Sequence, residues 1–338
     1  MAAPDAPGSL RLGVRFEPDW PPEDLPAFAR QAQEQGYDEL WFSEDLPWAG
    51  GIAMAATALA HTTSLRVGLG LLPAVTRNVV TLAMEVAALE RLAPGRLVLG
   101  VGHGVPEWMA QIGAATPRPA AALEETTLVL RRLLAGERVT FHGTHVRVDD
   151  VALGRPPAAC PEILVGTTGP VGLAMAARCS DGVVLPEVTV PDAVRWARAQ
   201  MAGAGDPGST VVFAMVEVDD DRDRALQTVR QRVRRVLDLG IFPQLTRLAG
   251  LGAEADGEVT DDVVTSIAAA GGPDDVVRAL TGWSDAGASR VVLVAGGDDA
   301  PRSYARVAAQ VLPRLRAAGV VGAGPAPAPA VSPSPPRA

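Results

Sequence analysis

The chain has 338 residues, of which 30 are basic and 39 acidic, so it carries 30 − 39 = −9 at neutral pH, and 48% of it is hydrophobic against 20% charged. That balance excludes a chain disordered throughout and lacks the basic face that non-specific nucleic-acid binding needs. Every basic residue is Arg, which removes a Schiff-base lysine, a P-loop lysine and a lysine general base, and two cysteines (Cys160, Cys179) with four histidines (His61, His103, His142, His145) are too few for a thiolate or histidine-rich metal cage.

In chain order, residues 1–9 read as a flexible arm without the basic-then-apolar pattern of a signal peptide. The first strand is expected over Leu10–Phe16, with a helix starting near the prolines at 21 and 22 and ending at Gly36. Strand two spans Glu39–Ser43 before a helix near 51–63, strand three Leu65–Leu72 before a helix from Asn78 to Leu92, and strand four Arg96–Val101 before a short piece at Pro106–Gly113 and a helix over 119–135. Residues 138–154 alternate and turn at His142-Gly143, the pattern of an inserted hairpin. Strand five follows at Glu162–Thr167 with helix 170–179, strand six at Gly182–Leu185 with helix 191–202, strand seven at Thr210–Val218 with helix 222–239, and strand eight at Arg290–Val294 with helix 300–318. Between the last two units, 241–288 is too long for a simple loop. It is expected to be an insertion with helices near Asp261–Ala269 and Pro273–Ala286 and the remainder a lid. Residues 320–338 are rich in Pro and Ala and read as a disordered tail.

The strands are continuous apolar runs such as VVFAMV and RVVLVA, which marks strands covered by helices in a parallel sheet. Eight βα units over 10–319 predict one TIM (β/α)8 barrel domain. A doubly wound Rossmann sheet would want a glycine-rich turn straight after strand one, where the chain has RFEPDWPPEDL. No apolar run reaches the ~18 residues of a membrane span, so a cytoplasmic protein is the expectation.

A barrel carries its chemistry at the C-terminal ends of its strands. Those ends read Phe16-Glu17, Glu44-Asp45, Gly70-Leu71, Gly102-His103-Gly104, Thr167-Thr168-Gly169 and Pro186-Glu187. GTTGP (166–170) runs from a strand into a helix start, where backbone amides and two hydroxyls suit a phosphate, although an ordinary βα turn with a Thr cap reads the same way. His103 between two glycines is either a proton carrier or a structural turn histidine. Glu44 and Asp45 are adjacent and so point apart, which makes a shared proton unexpected. His142 and His145 sit in the hairpin with no third ligand nearby, and no metal is expected.

The run TSLRVGLGLLPAVTRNVVTLAMEVAALERLAPGRLVLGVGHG (63–104) resembles the luciferase-like monooxygenase family, as do GYDELWFSED (36–45), PEILVGTTGPVGLAMAARCSDGVVL (161–185) and GGPDDVVRALTGWSDAGASRVVL (271–293). The resemblance implies a luciferase-like TIM barrel with a flavin-type cofactor at its C-terminal mouth. It is nearest the deazaflavin branch that includes methylene-tetrahydromethanopterin reductase and uses coenzyme F420 for hydride transfer with a small organic substrate. On that basis the cofactor would be held by Asp45, Gly70, Leu71, Gly102, Gly104, Thr167, Thr168, Gly169, Pro170 and Glu187. A non-prolyl cis peptide is implied at Gly70-Leu71, and His103 and Glu44 are the expected acid–base residues. The deazaflavin sugar dehydrogenases carry Asp-His where this chain has Glu44-Asp45, and a Glu after the strand-four glycines where it has His103, so their substrate does not transfer. Two alternatives stand beside this reading. One is an FMN-dependent two-component monooxygenase using reduced flavin from a reductase partner and oxygen; the other is a non-catalytic flavin-binding protein. A homodimer is compatible with the family.

Overall fold

The computed structural model describes residues 9–240, 242–251, 259–322 and 324. Eleven strands are formed among them: β1 Arg11–Arg15, β2 Glu39–Phe42, β3 Arg66–Pro73, β4 Leu97–Gly102, β5 Val139–His142, β6 Arg147–Val151, β7 Glu162–Gly166, β8 Gly182–Leu185, β9 Ser209–Val218, β10 Ala268–Gly271 and β11 Arg290–Ala295. Eight of them, β1, β2, β3, β4, β7, β8, β9 and β11, pair in parallel, and the β8–β9 and β11–β1 ladders close the ring. The fold is the (β/α)8 barrel that the strand pattern predicts. Most of the expected elements lie within one or two residues of their places, and helices Pro170–Cys179 and Pro191–Ala202 coincide with them.

The strands are apolar throughout because both faces are covered. Alternate residues such as Leu40, Leu99, Ile163, Val183, Val212 and Leu293 pack outward under the helices. The others form a separate cluster filling the lumen: Trp41, Val98, Leu164, Val184, Val211, Phe213, Val292 and Val294, with Leu71 against it. Trp41 is fully buried there, and a side chain at Gly68 would overlap its ring, with a built Cβ only 2.2 Å from the nearest ring atom.

Beneath Trp41 the N-terminal end of the barrel is closed by charge. Glu39 accepts from the Trp41 indole N–H at 2.8 Å, from Arg290 Nε at 2.9 Å and from Arg66 Nη1 at 3.2 Å. Glu162 takes both Arg290 amino groups at 2.8 and 2.6 Å, a further bond from Arg66 at 3.3 Å and the Ser209 hydroxyl at 2.6 Å. Both carboxylates therefore have every oxygen satisfied, the condition under which buried charges are tolerated.

Residues 138–154 do form a hairpin, with β5 antiparallel to β6. Glu125 holds its turn by accepting the amides of Thr144, His145 and Val146 at 2.8–2.9 Å. The 241–288 segment differs from expectation. Short helices at Pro243–Leu248 and Asp261–Ile267 are present, but Ala268–Gly271 is a strand, β10, and not the end of a helix. It pairs with the upper half of β9 (Met215–Val218), on the edge whose lower half (Ser209–Val212) pairs with β8. Helix Pro273–Asp285 forms where a helix was expected, and it is barrel wall: Val276, Leu280 and Trp283 are buried in the main core, and the Trp283 indole donates to the Thr189 carbonyl at 2.8 Å. Of the residues expected as lid, 241 and 252–258 lie outside the described residues, as do 1–8 and most of the tail.

The tail also begins later than expected. The Leu10 amide donates to the Val320 carbonyl at 2.8 Å, Leu10 and Val321 form a parallel bridge, and Val321 is buried. A chain ending at Gly319 loses that bond and one buried valine, and is expected to be less stable by about 2–3 kcal/mol than one ending at Gly322. Denaturant melts of the two chains check this; identical midpoints would place Val320 and Val321 outside the folded unit.

A second prediction concerns acid. Burial works against the charge of Glu162, but Arg290, Ser209 and Arg66 outweigh it and hold its carboxyl down at about 2. An unfolded glutamate titrates near ~4.3. The depressed value therefore contributes stability that is complete above about pH 5 and is lost as the pH falls toward 2. Glu162→Gln should cost about 3–5 kcal/mol at pH 7, because Arg290 stays buried with less counter-charge. The gap from the unchanged protein should narrow steadily between pH 5 and 2 in denaturant melts; a pH-independent gap would contradict the ion pairing.

Candidate active site

The C-terminal ends of the barrel strands gather the sequence-expected residues at one mouth. Position-two alternation along β1 turns Gly13, Arg15 and then Glu17 to the same side. Arg15 Nη2 binds Glu17 Oε2 at 2.5 Å, and Arg15 Nη1 reaches Glu187 beyond β8 at 3.0 Å. Arg232, from helix Arg222–Asp238, donates to Glu17 Oε2 at 3.1 Å and to the Ala295 carbonyl at 3.0 Å. Burial opposes ionisation of Glu17, yet Arg15 and Arg232 hold its carboxyl below the ordinary range. Asp45 lies beside this cluster. Burial pushes its pKa up, Arg15 pulls against that, and Glu187 adds to the rise.

Glu44 points away from Asp45, as adjacency requires, and is committed elsewhere. Its carboxylate takes both amino groups of Arg77, at 2.5 and 2.6 Å, and the Gly51 amide at 2.8 Å. Two oxygens engaged by three donors make a fixed anion. This geometry does not suit the acid–base part expected of Glu44 from sequence.

The Gly70-Leu71 peptide is cis, as the resemblance implies. Leu71 lies across the mouth against three glycines: a Cβ built at Gly100, Gly102 or Gly166 would come within 2.8, 2.7 and 2.0 Å of its side chain. Gly104 has φ +75°, a left-handed conformation that L side chains rarely adopt, and a Cβ there would strike Met109. Gly102 and Gly104 thus let the chain carry His103 between them over the mouth. His103 is half-buried and its Nδ1 has no partner. Burial lowers its pKa, with the Pro119 backbone pulling slightly the other way.

At the end of β7, Thr167 is buried and its hydroxyl sits over Gly172, where a Cβ would be only 2.0 Å away. That hydroxyl is turned into the helix, so only Thr168 remains of the two expected. Gly169 is the N-cap of helix Pro170–Cys179 with extended backbone and no side-chain cap bond, and the space about its Cα is open. Pro170 at the first position has no N–H, so the first-turn amides of this ten-residue helix are those of Val171 and Gly172, and no side chain caps them.

Four side-chain atoms in this region are buried without a partner: Arg15 Nε, Glu17 Oε1, Ser43 Oγ and His103 Nδ1. Among the described residues there is no cluster able to hold a metal, and no helix long and apolar enough to cross a membrane. A cavity of about 630 Å³ lies elsewhere, lined by Val190, Asp192, Arg222, Asp275 and Trp283, and none of the mouth residues borders it. Sequence reasoning missed the parts played by Arg15, Arg77 and Arg232. Arg15 was legible from its two-residue spacing to Glu17, whereas Arg77 and Arg232 reach their partners from elements whose placement only folding decides.

The strand ends of this closed parallel barrel bring a glycine-lined platform, one histidine and an uncapped helix start to one mouth. The chain belongs to the luciferase-like monooxygenase family, whose profile matches residues 8–290. It is 25% identical over 335 residues to the 5,10-methylenetetrahydromethanopterin reductase of Archaeoglobus fulgidus, covering 91% of this chain and all of that one. It is 29% identical to the F420-dependent glucose-6-phosphate dehydrogenase of Nakamurella multipartita, covering 94% and 99%. The structure of the coenzyme F420 dependent tetrahydromethanopterin reductase from Methanopyrus kandleri superposes with a TM-score of 0.77 at 20% identity, over 90% of this chain and 99% of that one.

Proposed function

We propose that the protein is a coenzyme F420-dependent oxidoreductase acting on a small organic substrate at the barrel mouth. The observation that carries this is the uncapped helix start at Gly169, on the same rim as the Leu71 platform and His103, in a chain aligned over 94% of its length with a relative named F420-dependent. The residues present fit the group. The open cradle at Gly169 and Thr168 suits a phosphate, Leu71 backed by Gly100, Gly102 and Gly166 suits a flat ring, and the unpartnered polar atoms at the mouth remain for ligand hydrogen bonds.

Bound there, the deazaflavin would supply the carbon that gives or takes hydride. The chain's residues do the rest. Thr168 and the amides at the start of helix Pro170–Cys179 would hold the phosphate, Leu71 would back the ring, and the Arg15–Glu17–Arg232–Glu187 assembly would supply fixed charge at the same mouth. His103, neutral at pH 7 because burial lowers its pKa, takes a proton from a substrate hydroxyl in the oxidative direction and returns it in the reductive one. Asp45, beside the Arg15–Glu187 pair, would be available to the cofactor. Glu44 is a fixed anion that orders the rim.

Spectral titration with F420 and, separately, with FMN tests the assignment. F420 should bind and FMN should not. Preferred binding of FMN would turn the reading to an oxygen-using monooxygenase, and binding of neither would remove the mouth as a flavin-type site. Thr168→Asp places a like charge at the phosphate and should weaken F420 binding tenfold or more, about 1.4 kcal/mol.

His103→Ala should lower turnover roughly 100- to 10,000-fold while F420 affinity stays within a few-fold. Substrate oxidation should fall as the pH drops through a value below the ordinary histidine ~6.5, since protonation there removes the base. A pH profile unchanged in His103→Gln would assign the proton to another group.

A further inference from the structure

Arg77 stands just past the end of β3, after a turn in which the Thr76 amide and hydroxyl both donate to the Pro73 carbonyl. Its guanidinium forms a two-point fork on Glu44, and its Nε faces Glu85 at 3.7 Å. Side-chain exposure is only 22% for Arg77 and 15% for Glu44, so the pair is largely withdrawn from solvent screening. Glu44 extends the link in two directions. Its Oε2 accepts the amide of Gly51, the first residue of helix Gly51–His61, and its own amide donates to the Leu71 carbonyl at 3.3 Å. Gly51 is seated closely on β3, since a Cβ there would lie 2.8 Å from Leu72.

The chain between Glu44 and Gly51 is therefore an arc of six residues tied at both ends to one carboxylate. That carboxylate is held by one arginine from the turn that follows the neighbouring strand β3. The arc carries Asp45 into the charged cluster at the mouth and leaves Trp48 about half exposed on the rim. Within the arc, the Trp48 amide donating to the Asp45 carbonyl at 2.8 Å is the backbone bond formed. Its own internal bonding is sparse, so its position depends on its ends.

We infer that Arg77 is a positioning residue: acting through Glu44, it fixes the 45–50 arc, and with it Asp45, against the Leu71 platform at the barrel mouth. The functional consequence rests on the F420 reading above, but the structural link does not. Without Arg77 the carboxylate is left in a poorly solvated place with its charge uncompensated. It must turn toward water, and Gly51 then loses its acceptor.

The test compares the full-length protein with Arg77→Met, Arg77→Lys, Glu44→Gln and the Glu44→Gln/Arg77→Met double variant, using peptide-resolved hydrogen exchange and F420 titration. In Arg77→Met the amides of residues 44–54 should exchange at least tenfold faster, while peptides from β4 and β7 stay unchanged. F420 affinity should fall fivefold or more. Arg77→Lys, with a point charge in place of a fork, should be intermediate. The double variant should be no worse than Arg77→Met, because the two residues act as one unit. Exchange over 44–54 and F420 affinity both within twofold of the unchanged protein would overturn the inference. So would faster exchange spread over the whole barrel, which would make Arg77 a general support. Should Arg77→Met fail to fold, Arg77→Lys and Glu44→Gln carry the same comparison. If the unchanged protein does not bind F420, the functional reading fails while the exchange data still decide the positioning link.

Discussion

The barrel depends on a buried carboxylate, Glu39, that fills three roles at once. It takes the indole N–H of Trp41, the side chain that fills the middle of the lumen, and it pairs with Arg290 of β11 and Arg66 of β3, on either side of its own strand β2. Arg290 then carries the charge across to Glu162 on the far wall. Strands separated by 251 positions in sequence are joined through one side chain. Such a network is costly to desolvate and weak as a source of stability when compared with apolar packing. What it supplies is register: a one-residue slip of β2 would turn Glu39 and Trp41 outward and leave Arg290 Nε without its acceptor, with Glu162 as the remaining counter-charge.

That floor decides what the mouth can be. With the N-terminal end closed by satisfied charges and the middle filled by Trp41, Phe213 and the aliphatic residues around them, access to the lumen is left at the C-terminal end. The two ends are built from the same residue types with opposite completeness. At the floor every oxygen of Glu39 and Glu162 has a donor. At the mouth Arg15 and Glu17 are paired but each keeps one buried atom without a partner, as do Ser43 and His103. Unsatisfied groups of this kind are costly unless a ligand or water completes them. The rim is fixed by a third ionic unit, Arg77 on Glu44, which lies outside the lumen and braces backbone.

Much of this was legible in the chain itself. Unbroken apolar runs followed by helices implied strands covered on both faces, and put Gly70, Gly102, His103, Gly104 and Gly169 at strand ends. β10 was not legible, because AAAG has the composition of a helix end and becomes a strand only where the upper half of β9 offers an unpaired edge. The last helix was expected as one piece over 300–318. It contains a π turn at Val307–Val311 just before Pro313, whose missing N–H leaves the ordinary helical ladder incomplete. Val320 and Val321 were assigned to the tail by composition, and Leu10 holds them to the barrel.

The sequence by itself determined the fold class and which histidine and glycines stand at the C-terminal ends of the barrel strands. Each of these follows from local spacing: apolar runs of strand length, helix starts, and residues just past a strand. Tertiary structure alone decided which charged groups are free. Glu44 and Glu187 look alike at two strand ends, yet Glu44 meets Arg77 from 33 residues away and Glu187 meets Arg15 from 172 away. Thr167 and Thr168 are adjacent, yet Gly172 leaves room for one of them to turn under the helix. Charge and hydroxyl chemistry depend on partners brought together by ring closure, and no spacing within a single βα unit encodes which strands will face each other across the lumen.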